Sequence, residues 1–309
     1  MLTAIKREYK FVTGLLRMLK AVKSVDAEGD FLVPDELEKR IDTYGSNLAF
    51  IEGDLELTYD DMETYANKVS AWAQAMGCTA GDTVAVFVRN RAQYVALWLG
   101  LTKIGVVPAL LNYQLTGTAL AHCVNISDAK IIIVDHEMAA QFEGAKAELK
   151  SDPKVFAAFG EIKGYDSFDA AIADHVPSRP PKSLRAGIKA GDQCMKMFTS
   201  GTTGLPKAAK VTHVRAQNYM RGMGAGAKAS AKDRMMMVLP MYHATGGLVG
   251  MGAAITNGGA VIVLPKFSAT KFWDDAVKYK ATMFTYVGEL CRFLLSTPTH
   301  PLELSLIHI

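Results

Sequence analysis

The residues best placed to do chemistry stand in one decapeptide, Phe198-Thr199-Ser200-Gly201-Thr202-Thr203-Gly204-Leu205-Pro206-Lys207. Gly201 and Gly204 permit positive φ and let backbone N–H groups approach an anion. Thr199, Ser200, Thr202 and Thr203 add hydroxyl donors, and Lys207 supplies a point charge for phosphate. Pro206 disfavours helix at Leu205, so the segment should return into a strand. That separates it from the P-loop, which opens a helix. Gly201 and Lys207 keep the P-loop spacing, but Pro206 replaces its second glycine and Ala208 its Ser/Thr. Neither GxGxxG nor the nucleophile elbow GxSxG occurs in the loop. The chemistry implied is a phosphate cradle of another kind, held between two strands. The bland alternative is a Gly/Thr-rich hairpin turn.

Other candidates carry less. Tyr242-His243 follows an apolar strand and precedes Ala244-Thr245-Gly246-Gly247. It reads either as a pocket wall or as a partly buried structural histidine. Gly288-Glu289 follows a predicted strand, and open α/β sheets bind ligands at the carboxyl ends of strands. Glu289 reads equally as an acid favoured by a helix N-terminus. His122 and Cys123 lie in a predicted helix with no ligand partner in spacing, and His136, His175 and His213 are isolated. Asp60-Asp61 and Asp274-Asp275 look like early-helix acids. Met235-Met236-Met237 reads as core filling, not metal binding.

These residues need a scaffold, and the composition allows one. Of 309 residues half are hydrophobic, too apolar for a disordered chain. A net charge of +3 from 34 basic and 31 acidic residues argues against a nucleic-acid partner. Cys78, Cys123, Cys194 and Cys291 form no CxxC pair, which points to a reducing, cytoplasmic setting. No apolar run is long enough to span a bilayer.

The predicted elements alternate. Ala49–Ile51 and Leu55–Leu57 form a hairpin about Glu52-Gly53-Asp54, and Thr58 caps a helix that Gly77 stops. Strands are expected at Thr83–Val88, Val106–Leu111 and Lys130–Val134, with helices at Gln93–Ile104 and Thr116–Ile126. Continuous β-branched runs such as Lys130–Val134 belong to parallel sheets covered by helices. Pro177, Pro180 and Pro181 mark a surface connection. Beyond it, strands are expected at Met195–Phe198, Ala208–Thr212, Met235–Leu239, Ala260–Leu264 and Thr282–Tyr286. Helices are expected at His213–Ser230, at Ala269–Tyr279 and from Glu289.

The organisation expected is a first α/β subdomain over 31–175, a linker over 176–190 and a second α/β subdomain over 191–303. Residues 1–30 read as a basic amphipathic helix, with Val12, Leu15, Leu16, Leu19 and Val22 at helical spacing among lysines and arginines. Two readings stand for it: contact with an anionic membrane from the cytoplasmic side, or docking on its own domain with solvated lysines. Residues 304–309, Leu-Ser-Leu-Ile-His-Ile, match the translated end of a common transposon-based sequencing adapter and are set aside as read-through.

The decapeptide resembles the phosphate-loop signature of the adenylate-forming (AMP-binding) superfamily. Lys103-Ile104-Gly105 with Pro108, Leu111 and Asn112 resembles the family's early helix-to-strand motif, and Leu239-Pro240-Met241-Tyr242-His243 its aromatic–His motif. The fatty acid transport protein and very-long-chain acyl-CoA synthetase branch is the most similar. Its likeness lies in Leu239–Gly246, in Lys266–Ala269 with Phe272–Asp275, and in Tyr286–Arg292. The resemblance covers about Ser46 to Pro298.

It implies an α/β fold, the large N-terminal domain of an adenylate-forming enzyme, with βα-repeating subdomains, mostly parallel sheets and the C-terminal lid domain missing. It implies ATP-dependent activation of a fatty acid to acyl-CoA through an acyl-adenylate, with ATP, Mg²⁺ and coenzyme A. Thr199, Ser200, Gly201, Thr202, Thr203, Gly204 and Lys207 would hold the β- and γ-phosphates; Tyr242, His243 and Gly288 would line the acyl and adenylate pocket. The family's catalytic Lys and ribose-binding Asp would lie beyond this chain, so no acyl-CoA synthesis is expected of it alone. The alternatives are an aryl or short-chain acyl-CoA ligase, a non-catalytic nucleotide- or acyl-binding half-protein, and an unrelated phosphotransferase.

Overall fold

A computed structural model describes residues 2–199, 204–299 and 301, with side chains from residue 8 onward. The strands are β1 (Leu48–Glu52), β2 (Leu55–Thr58), β3 (Thr83–Phe87), β4 (Val107–Leu110), β5 (Ile131–Asp135), β6 (Lys154–Ala158), β7 (Asp166–Ser167), β8 (Gln193–Thr199), β9 (Lys207–Thr212), β10 (Arg234–Met237), β11 (Ala260–Val263) and β12 (Met283–Phe284). The helices are α1 (Leu2–Lys23), α2 (Val33–Tyr44), α3 (Tyr59–Ala75), α4 (Tyr94–Lys103), α5 (Gly117–Ser127), α6 (Ala139–Lys146), α7 (Phe168–Ala173), α8 (His213–Ala227), α9 (Met251–Ile255), α10 (Phe272–Lys278) and α11 (Gly288–Leu295).

The strands form two sheets. One has the order β12-β10-β11-β1-β2, the other β7-β6-β5-β3-β4-β8-β9. Every neighbouring pair is parallel except the hairpins β1/β2 and β8/β9. The α/β class with mostly parallel sheets, expected from runs such as Ile131–Asp135, is therefore present, and all of β3, β4, β5 and β11 is buried.

The largest apolar core joins both sheets. Phe50, Met235 and Val261 of one and Val84, Val86 and Leu110 of the other meet through α3 and α4, around Trp72 and Trp98. A second cluster seats Leu120 of α5 and Phe142 of α6 on the other face of the seven-stranded sheet. A third seats Phe272 of α10 and Leu290 of α11 on the far face of the five-stranded sheet. The layers are thus helix, sheet, helix, sheet, helix.

The strands do not sort into sheets on either side of residues 176–190. The early hairpin β1/β2 pairs with β11, while β8 and β9 extend the sheet begun by β3 and β4. Residues 176–190 are pinned by charge. Arg185 reaches Asp35 and Glu38 at 3.1 Å each and the Lys103 carbonyl at 2.8 Å, and Arg179 pairs with Asp42 and Glu63. Of the two readings of the N-terminal helix, docking is present. Arg17 donates to the Ala225 and Gly226 carbonyls of α8, at 3.1 and 2.9 Å.

Candidate nucleotide and acyl site

The expected phosphate cradle sits on the β8/β9 hairpin. Thr199 pairs with Lys207 across the antiparallel ladder, so the loop runs from Ser200 to Pro206. Ser200, Gly201, Thr202 and Thr203 lie outside the described residues. Phe198 anchors the stem in the second core, while Thr199 and Lys207 are exposed beside it. Gly204 has φ of +129°, a conformation an L side chain rarely adopts, and a Cβ built there meets nothing within 4 Å among the described residues.

The return of the loop is tied down by a residue with no obvious role in the sequence. His122 of α5 donates from Nε2 to the Pro206 carbonyl at 3.0 Å. A carbonyl can only accept, which fixes that ring nitrogen as the protonated one. Its neighbour Cys123 is no nucleophile, because burial pushes its thiol up to about 12.

The second group of residues gathers after β10. Tyr242 is buried and His243 exposed at the start of a tight turn, with ring centroids 4.3 Å apart. Tyr113, just beyond β4, meets Tyr242 edge-on at 5.1 Å. Burial raises the hydroxyl pKa values of Tyr94, Tyr113 and Tyr242, so all three remain donors at neutral pH. The Tyr94 hydroxyl is buried with no hydrogen-bond partner among the described residues. Desolvation pulls the His243 imidazole below its ordinary value, leaving it neutral at pH 7.

Asn90, which the sequence analysis did not single out, holds this turn. It follows β3, and its side-chain amide donates to the Leu239 carbonyl at 3.1 Å and the Leu264 carbonyl at 3.2 Å. Its Oδ1 accepts from the Met241 N–H at 2.9 Å. One buried amide thereby clamps the chain on both sides of Pro240 and ties it to the end of β11. The neighbouring Arg91 makes a two-pronged pair with buried Asp135 at 2.9 Å, locking the end of β5 to the same corner. A polar pair after an apolar strand is the only sequence signal for this clamp. The turn itself needs glycine, since a Cβ on Gly246 or Gly247 would strike the Pro240 or Met241 carbonyl at 2.4 or 1.9 Å.

Gly288 opens α11 after β12, which lies beside β10; it is exposed and a Cβ there meets nothing within 4 Å. Glu289 pairs with Arg292 within the helix. The carboxyl ends of β3, β4 and β8 in one sheet and of β10 and β12 in the other thus lead into Asn90, Tyr113, Thr199, His243 and Gly288. This is the ligand-binding edge of open parallel sheets. Among the described residues no cluster of three or more acidic, His or Cys side chains could hold a metal ion. Among the described residues the corner supplies donors and aromatic walls, and Lys207 is exposed on the hairpin stem.

Comparisons with known proteins agree on the family. The AMP-binding enzyme family matches residues 37–306. Long-chain fatty acid transport protein 1 of Mus musculus is 39% identical over 254 residues, covering 80% of this chain and 38% of its own length. The medium/long-chain-fatty-acid–CoA ligase FadD6 of Mycobacterium tuberculosis is 34% identical over 269 residues, covering 86% of this chain and 43% of its own. The chain therefore spans about two fifths of the curated relatives it matches. Among solved structures, the anthranilate CoA ligase AuaEII with anthranoyl-AMP superposes with a TM-score of 0.77 at 20% identity, covering 85% of this chain and 50% of its own. The N-terminal domain of FACL13 from Mycobacterium tuberculosis does so at 0.71 and 24%, covering 86% and 65%. With the match running almost the length of the chain, the protein belongs to the AMP-binding enzyme family.

Proposed function

We propose that this chain carries the nucleotide- and acyl-binding part of an ATP-dependent fatty acid–CoA ligase working in the cytoplasm. The observation that carries the reading is the hairpin: exposed Thr199 and Lys207 face each other across its stem, and Gly204, at φ of +129°, turns the chain back in a conformation an L side chain rarely adopts. In this reading Thr199 to Gly204 and Lys207 bind the β- and γ-phosphates of ATP, which brings its Mg²⁺ bound through those phosphates. Tyr242, His243 and Gly288 border the acyl and adenylate pocket.

The reaction is an exchange of bonds at two centres. A carboxylate oxygen of the acid bonds to the α-phosphorus while the bond to pyrophosphate breaks. The thiol sulfur of coenzyme A then bonds to the acyl carbon, its proton is lost, and AMP leaves. An anionic nucleophile meets an anionic phosphate, so the chain's share is to place donors and positive charge against the oxygens. His243 is not asked to act as a base, because a carboxylic acid of ordinary pKa near 4 is already ionised at pH 7. Its neutral ring and the Tyr242 face serve as a wall that excludes water.

The names of the similar proteins support a medium- to long-chain acid over an aryl or short one. Acid-dependent pyrophosphate release by the natural full-length polypeptide tests the class. Release with palmitate exceeding that with benzoate or acetate agrees with the reading. Preference for benzoate moves it to the aryl ligases. ATP turnover indifferent to any acid points to a phosphotransferase and ends it. The 309-residue chain alone is expected to form no acyl-CoA.

A further inference from the structure

The proposed reaction leaves His122 of α5 unused, although its side chain reaches the hairpin. Helix α5 lies behind the stem. Phe198 of β8 and Ala208 of β9, opposite each other in the ladder, pack in the second core with Leu120, Cys123 and Val124 of the helix. Strand side chains alternate between faces. Thr199 and Lys207, the next pair along the ladder, therefore belong to the other face. Met197 of that face lies in the core that joins the two sheets. The helix thus holds the stem from one side, and Lys207 is presented on the other.

The point that α5 grips beyond the apolar stem is a backbone group. Among the described residues the outermost pair of the ladder is Thr199 with Lys207, and Pro206 stands just outside it. The proline ring fixes φ at about −65°. The peptide that follows is planar, so one angle, ψ of Pro206, remains to set where Lys207 begins. Turning that angle swings the Pro206 carbonyl, and this carbonyl accepts from His122 Nε2 at 3.0 Å. The donor stands on a fixed support. Asn125 of the same helix donates to the Glu148 carbonyl at 3.1 Å and accepts from the Lys150 N–H at 2.8 Å.

We propose that His122 is a positioning residue for phosphate binding, an assignment that rests on reading the hairpin as a phosphate site. Its bond to the Pro206 carbonyl sets the peptide from which Lys207 springs, and so aims the ammonium group at the anion. The imidazole does not touch the ligand. A lysine is a point charge on a flexible four-carbon stem, so its worth to a ligand depends on how firmly its backbone is held. With the bond removed, the freedom returned to Pro206 has to be lost again when phosphate binds, and affinity falls by that amount.

Calorimetric titration of the 309-residue chain with inorganic pyrophosphate and with Mg·ATP tests this through a double-mutant cycle. His122→Phe keeps a ring and removes the donor, while His122→Gln keeps an amide N–H near the place of Nε2. His122→Phe should weaken both ligands about three- to tenfold, the size of one lost hydrogen bond, and His122→Gln should stay within about twofold of the parent. In a Lys207→Ala background, His122→Phe should add less than about twofold, because the charge it aims is gone. His122→Leu serves if the phenylalanine variant is insoluble, and thermal unfolding without ligand accompanies each variant. A merely structural bond would lower the unfolding midpoint and cost the same factor in affinity with or without Lys207. Such additivity overturns the proposal. So does affinity within about twofold of the parent in His122→Phe, or a loss in His122→Gln equal to that in His122→Phe. Failure of the underlying reading looks different: neither ligand binds the folded parent chain, or Lys207→Ala binds as tightly as the parent, and the proposal then falls with the phosphate site.

Discussion

Asn90 illustrates how a single side chain can position a site it does not enter. It is 1% exposed, and all three of its hydrogen bonds reach segments about 150 to 175 residues away along the chain. Asn90→Ala leaves two carbonyls and one N–H buried without partners, at a cost of about 3 kcal/mol. Urea unfolding should register that loss. A change under about 1 kcal/mol would mean that the turn before Tyr242 is held by other contacts. His213 offers a second test at this scale. It is buried with its Nδ1 accepting from the Val33 N–H at 3.2 Å, and desolvation lowers its pKa from 6.5 to about 4. The folded chain resists a proton that the unfolded chain accepts below pH 6.5. Its contribution is therefore fully present above that pH and is lost progressively as pH falls toward 4, by about 3 kcal/mol in all. His213→Asn keeps an acceptor without the titration, so its unfolding midpoint should vary less between pH 7 and pH 5 than that of the parent chain. An identical slope in both would assign the acid sensitivity to other groups. Neither residue could be singled out in the sequence. An asparagine after a strand and a lone histidine carry no local mark of partners so distant.

At the scale of elements, local chemistry was far more informative. Thr58 accepts from the Asp61 N–H while Asp61 reaches back to Thr58, so the cap was readable from spacing alone. The β1/β2 hairpin and the return of the chain after Gly204 into β9 follow from Gly53 and Pro206 in the same way. What escaped was the π-helical turn Thr245–Gly250 that runs into α9. Its glycines read as a loop, yet they serve close packing against the Pro240 and Met241 carbonyls. Close approach also governs α3 and α4. A Cβ on Gly100 would lie 2.4 Å from the Ala66 carbonyl and 2.6 Å from the Val69 Cβ, and Ser70 donates to the Gly100 carbonyl at 2.7 Å. Backbone cannot yield as a flexible side chain does. Gly100→Ala should lower stability by roughly 2 kcal/mol or more despite better helix propensity. A thermal unfolding midpoint at or above that of the parent would show that the helices can separate freely.

For the whole molecule, the class was legible and the assembly was not. Buried apolar runs announce parallel strands, but they do not say which strands pair. β1 joins β11, and β8 joins β4, because each must cover the faces of α3 and α4, a condition set by packing and not by neighbourhood in the chain. The segment over 176–190 likewise reads as a plain connection, although Arg179 and Arg185 make it a strap across α2 and α3. At its centre Lys103 is fully buried, 3.0 Å from Glu38, 2.7 Å from Glu63 and 2.8 Å from Asn67. Burial pushes Glu63 up, but Lys103 and Arg179 hold its carboxyl below its ordinary value overall. Lys103→Met strips the ammonium and leaves carboxylates buried. We expect a loss of about 3 to 5 kcal/mol or no soluble product, and partial recovery with Lys103→Met and Glu63→Gln together. Simple additivity of the two changes would deny the coupling.

The central claim is that the hairpin between Thr199 and Lys207 binds the phosphate tail of ATP. Calorimetric titration of the 309-residue chain with Mg·ATP and with pyrophosphate tests it most directly, using Lys207→Ala beside Lys210→Ala, an exposed lysine on the same strand. Both ligands should bind the parent chain, Lys207→Ala should weaken them about ten- to a hundredfold, and Lys210→Ala should leave them within about twofold. Equal affinity in the parent and Lys207→Ala, or no binding of either ligand to the folded parent chain, would contradict it.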